Sequence, residues 1–123
     1  SKVLATTAAV RAQFPNHRLV VALELHTYSS LNPAFLPQYR DSLAGADQAV
    51  VFYDPEALAI KRMDEVAPQA VADAFGHPGL LVFTTPKQVA ELFYSINIEN
   101  TVVLMMSSGH FGGLDLSLIG SNH

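Results

Sequence analysis

A chain of 123 residues has the size of one domain, so a single core spanning residues 1–123 is expected. Half the residues are hydrophobic and 15% are charged, below the roughly 25% of an average soluble domain; this fits either a deeply buried α/β core or a face that packs on a neighbouring domain. A formal charge of -4 with no basic run gives no footprint for nucleic acid or acidic lipid, and the lack of cysteine excludes disulfides, thiolate metal sites and cysteine nucleophiles.

In chain order, Val3, Thr7, Val10 and Phe14 recur at helical spacing until Pro15 and Asn16 interrupt them, which predicts an opening helix. Leu19 to Leu25 is a short, almost continuous apolar run, the pattern of a strand covered on both faces of a parallel sheet. Ala49 to Tyr53, Leu80 to Phe83 and Thr101 to Met106 repeat it, with Met105 and Met106 read as strand core. The intervening segments Ala34 to Ala44, Gln69 to Phe75 and Lys87 to Ile96 are long enough for helices, although Pro37 would delay or kink the first. Asn32, Asp54 and Thr85 each precede a proline and follow a strand, as helix caps do. The alternation predicts an α/β fold: a three-layer, doubly wound, mostly parallel, Rossmann-like sheet. No apolar run approaches the ~20 residues that span a bilayer, so a soluble, cytoplasmic chain without a membrane or nucleic-acid partner is expected.

Ligands of open parallel sheets bind beyond the carboxyl ends of the strands. Two loops there carry chemistry. The first, His26, Thr27, Tyr28, Ser29, Ser30, Leu31 and Asn32, offers an imidazole, four hydroxyls and an amide. It reads either as a recognition loop for a carboxylate or peptide, or as a turn in which Asn32 caps the next segment, Ser29 and Ser30 bond locally and His26 is structural. The second, Ser107, Ser108, Gly109, His110, Phe111, Gly112 and Gly113, has glycines that permit a sharp turn or a close approach to a ligand. Neither loop carries a dinucleotide fingerprint or a P-loop lysine motif. The five histidines, His17, His26, His77, His110 and His123, have no metal-ligand spacing, so no metal site is expected, and no G-x-S-x-G elbow supports a hydrolase. His26 and His110 would meet only under a particular strand order. Asp64, Glu65 and Asp73, with Lys61 and Arg62, read as a solvated face.

The run from Pro15 to Ser29 resembles the Mur ligase pattern of an arginine-containing helix, a proline, a basic residue and a strand leading to a P-H-R-Y-[ST]-R loop. His26 falls on its histidine, Tyr28 on its aromatic residue and Ser29 on its small hydroxyl. Ser42 to Val51 is similar to the family's helix end, A-D and strand, and Ser107 to Gly113 to its G-A-G-N-I-G-type loop. The similarity is to the C-terminal domain, in the UDP-N-acetylmuramate ligase branches that add alanine or murein tripeptide, including a divergent branch known as peptidoglycan synthetase. Thr27 and Ser30 stand where the alanine-adding pattern has arginines, and Leu25 replaces a proline, which points Ser29, Ser30 and Asn32 toward a different acceptor.

The resemblance implies a parent enzyme that uses ATP to phosphorylate a muramyl carboxylate, which the amine of an amino acid or peptide then attacks. ATP and magnesium would lie mainly in the central domain, outside this chain. This domain would partner the central and N-terminal domains and bind the acceptor through His26, Thr27, Tyr28, Ser29, Ser30 and Asn32, with Ser107, Ser108, Gly109 and His110 contributing; no catalytic residue is expected in it. The alternative is a non-catalytic, flavodoxin-like binding or interaction module.

Overall fold

The architecture comes from a computed structural model, which describes residues 2–60, 67–107 and 109–123. Lys61, Arg62, Asp64 and Glu65 of the expected solvated face, together with Ser108 and the side chain of Tyr28, lie outside that description. The elements are α1 (Lys2–Gln13), β1 (Arg18–Glu24), β2 (Gln48–Phe52), α2 (Pro68–Phe75), β3 (Leu81–Phe83), α3 (Pro86–Ser95) and β4 (Thr101–Met106). The four strands form one sheet in the order β3-β2-β1-β4, and every pairing is parallel.

Because successive strand residues point to opposite faces, the apolar runs feed two cores. Leu19, Val21, Leu23, Ala49 and Val51 face one layer, where Val3 and Val10 of α1 and Val71 and Phe75 of α2 pack. Val20, Ala22, Val50 and Phe52 face the other, filled by Val89 and Phe93 of α3 and by Phe111. β1 is therefore buried on both sides, as its unbroken hydrophobicity predicts. The expected three-layer α/β sheet is the observed one, and no helix among the described residues is long and apolar enough to cross a membrane.

The expected helix over 34–44 does not form. Its place is taken by a 3-10 turn, Leu36–Tyr39, and further turns. Pro37 has no N–H to give an α-helical ladder, and Asp41 adopts φ 60, a left-handed conformation that ends any right-handed helix. Of the three cap-proline pairs, only Thr85-Pro86 opens a helix: Thr85 and Gln88 form a reciprocal capping box at the start of α3. Asn32 and Asp54 instead cap turns, accepting the Ala34 N–H at 2.8 Å and the Glu56 N–H at 3.0 Å. α2 begins at Pro68 without a side-chain cap and stops at Gly76, whose φ of 63 suits a left-handed C-cap.

A polar clasp holds the amino-terminal ends of the two central strands. Arg11 donates to the Gly45 carbonyl and to the His17 carbonyl, both at 2.9 Å, and pairs with Asp47, which accepts the Leu19 N–H at 2.8 Å. The helix arginine and the A-D dipeptide of the sequence pattern thus meet, fixing α1 against the starts of β1 and β2.

Candidate functional site

The strand order places β4 beside β1 while β2 and β3 extend the other way, so the chain changes direction at the β1/β4 boundary. Such a switch point opens a crevice between the loops that leave the two strands. His26 follows β1 and His110 follows β4, so the strand order brings together the two histidines that sequence alone could not pair.

The residue that organises the crevice is Glu24, the last residue of β1 and the lone charge in the run Leu19 to Leu25. Its side chain is 7% exposed. One carboxylate oxygen accepts the Ser107 hydroxyl at 2.6 Å and the Phe111 N–H at 2.8 Å; the other lies 3.5 Å from Nδ1 of His26. A carboxylate this deep requires such donors, because stripping water from a charge costs several kcal/mol unless it is replaced. Glu24 was not among the residues singled out from sequence; the signal was a charge inside an otherwise apolar strand.

The glycine loop is bent onto this carboxylate. Phe111 has φ 53, followed by Gly112 at φ 66 and Gly113 at φ 89. A left-handed Phe costs roughly 1–2 kcal/mol, offset here by its bond to Glu24 and by a buried ring that stacks 6.5 Å from Phe52. Ser107 Oγ also accepts the Gly109 N–H at 2.7 Å. Gly109 has no room for a side chain: a Cβ there would sit 2.6 Å from His26 Nδ1 and 3.0 Å from a Glu24 oxygen. His110 Nδ1 accepts the Gly113 N–H at 2.8 Å.

A cleft of about 280 Å³ opens at this point, with Glu24, His26, Asp54 and His110 as its polar lining and Phe52 and Pro86 among its apolar walls. A larger hollow of about 430 Å³ lies between α1 and the ends of β1 and β4, and Lys2, Thr6, Glu24 and Ser107 contribute its polar groups.

Among the described residues of the first loop, Thr27, Ser29, Ser30 and Asn32 do not line the 280 Å³ cleft. Thr27 caps the 3-10 turn Tyr28–Leu31, and its hydroxyl lies 2.7 Å from that of Ser30 and 3.1 Å from that of Ser29. Ser30 also bonds the Tyr39 hydroxyl, whose pKa is raised by burial. Asn32 is engaged in its turn. Among the described residues no group of three or more His, Cys, Asp or Glu is placed to hold a metal ion.

These features define a Rossmann-like α/β domain with a switch-point cleft lined by two carboxylates and two imidazoles. The chain belongs with the Mur ligases. It is 35% identical over 120 residues to the UDP-N-acetylmuramate–L-alanine ligase of Acidithiobacillus ferrooxidans, an alignment covering 92% of this chain and 24% of that protein. With the ligase of the same name from Hydrogenovibrio crunogenus it shares 30% identity over 112 residues, 89% of this chain and 24% of the other. The chain therefore spans about a quarter of the length of these relatives. No family model matches it. Its fold is that of a crystallised domain from a Haemophilus ducreyi 35000HP protein assigned as a UDP-N-acetylmuramate:L-alanyl-gamma-D-glutamyl-medo-diaminopimelate ligase, with a TM-score of 0.59 and 20% identity over 99% of this chain and 82% of that one.

Proposed function

We propose that this chain is the C-terminal, acceptor-binding domain of a cytoplasmic, ATP-dependent carbon–nitrogen ligase that joins an amino acid or peptide to UDP-N-acetylmuramate in peptidoglycan synthesis or recycling. The observation that carries this reading is the convergence of His26, His110 and Glu24 on one switch-point cleft, in a chain homologous to a quarter of the alanine ligases. The cleft is the place where an amine-bearing acceptor would sit. Thr27, Ser29, Ser30 and Asn32 would act one step back, holding the loop that presents His26. The domain's partners would be the central and N-terminal domains of the same polypeptide.

ATP and magnesium belong to the central domain in this reading. The sequence has no P-loop lysine motif, and the described residues do not fit a metal site. ATP would supply activation of the carboxylate elsewhere in the parent. This chain's own contribution is to hold the amine in line and exclude water as the domains close, a proximity effect worth on the order of 7 kcal/mol or more in well-oriented reactions.

The test is steady-state kinetics of His26→Ala in the full-length protein, with the mass of that protein measured alongside. A polypeptide several times longer than this chain, with the acceptor KM raised or turnover lowered about tenfold or more, is the expected result. Wild-type kinetics would remove the cleft from acceptor binding. A gene product no longer than this chain would leave the non-catalytic binding module.

A further inference from the structure

The polar contacts around the cleft treat its two histidines oppositely. His110 Nδ1 accepts the Gly113 N–H, so in the neutral ring the proton resides on Nε2 and that nitrogen is a donor. His26 Nδ1 faces a Glu24 oxygen at 3.5 Å. A carboxylate only accepts, so this contact favours the ring with its proton on Nδ1, which leaves Nε2 of His26 as an acceptor. Glu24 is held in place for this task by its bonds to Ser107 and Phe111, and Gly109 gives the imidazole room to approach.

We propose that Glu24 is a positioning residue that fixes His26 in the Nδ1–H tautomer while the Gly113 amide fixes His110 in the Nε2–H tautomer, so that one wall of the cleft offers a lone pair and another an N–H. This inference rests on the acceptor-binding reading and adds its polarity. A lone pair and a donor at one site match an α-amino group and the carbonyl oxygen beside it, the end of an amino acid or peptide that must attack. Glu24 and Asp54, both lining the same cleft, disfavour a carboxylate at the lone-pair side and favour the amine there.

Glu24→Gln separates orientation from packing. The glutamine oxygen still accepts from Ser107 and Phe111, but its NH2 group now donates toward His26 and reverses the tautomer. Imidazole 15N shifts of the full-length protein, recorded at pH about 8 where an ordinary histidine is neutral, read both rings directly. The expected wild-type spectrum has His26 protonated on Nδ1 and His110 on Nε2, with His26 alone switching in E24Q. In the full-length protein E24Q should raise the acceptor KM about tenfold, the scale lost when a histidine's orienting partner is removed from a metal site, and leave the KM for ATP unchanged. Gly109→Ala, which displaces the His26 ring, should raise the same KM and no other.

A wild-type His26 protonated on Nε2 overturns the proposal even if E24Q fails to fold, because it is read without any variant. The proposed tautomers combined with wild-type acceptor KM in both E24Q and H26A would instead remove the acceptor from this cleft. In that case the hold of Glu24 on His26 would stand and the polarity argument would fall.

Discussion

Asp47 shows how a single side chain joins distant segments and what that means for acid stability. The Leu19 N–H and the Arg11 guanidinium beside it hold its carboxyl below the usual carboxylate range. A carboxylate whose folded pKa lies below its unfolded value contributes stability that is complete above the ordinary value of about 3.9 and is lost as pH falls through the lowered one. Because the Asp47 side chain is half exposed, solvent limits this contribution to about 1 kcal/mol or less. Asp47→Asn should therefore lower the urea midpoint at pH 7, and the gap from wild type should narrow as pH falls below the ordinary carboxylate value of about 3.9. Thr7 makes the opposite case. Its hydroxyl is buried in α1 with no hydrogen-bond partner among the described residues, so the near-isosteric Thr7→Val should raise stability by about 1 kcal/mol in the same titration. Neither effect was legible in the sequence, because Arg11 and Asp47 are 36 residues apart and helical spacing marks Thr7 as inward-facing without saying whether its hydroxyl finds a partner.

Among the elements, the strands could be read within a residue or two, because each is a short, unbroken apolar run between helical or turn segments. Helices α2 and α3 could be read as well, and α3 because Thr85-Pro86 with Gln88 spells a capping box. Replacing Thr85 with Ala removes the acceptor for the Gln88 N–H and should cost about 1 kcal/mol by thermal or urea unfolding. The segment 34–44 misled for a physical reason. Its length and leucine spacing suit a helix, whereas Pro37 and the left-handed Asp41 deny one, and a cap-proline pair marks a tight turn as readily as a helix start. What stabilises that segment is tertiary: Leu36 and Leu43 enter the core, and Tyr39 stacks on Phe75 at 4.8 Å. The same limit hid Glu24. Periodicity placed it in a strand, but only the neighbouring strand's loop supplies the partners that make a buried carboxylate tolerable.

For the whole molecule, strand order is what separates a list of loops from a site, and parallel pairing leaves no mark in composition from which to read it. The order also predicts a gradient of local stability. β1 is buried on both faces and paired on both edges, whereas β4 is part-exposed along its length and pairs only with β1 among the described residues. Amide hydrogen exchange should be slowest in β1, and the outward-facing amides of β4 should exchange much faster than its bonded ones. Uniform protection across both strands would mean that something covers the β4 edge in solution. The order has one more consequence, for synthesis. The bond from Glu24 to Phe111 joins residues 87 apart in the chain, so the first strand leaves the ribosome carrying a charge whose neutralising donors have not yet been translated. Until β4 docks, that carboxylate must stay hydrated and the edge of β1 beside it open, which makes closure of the cleft a late event in the folding of this domain.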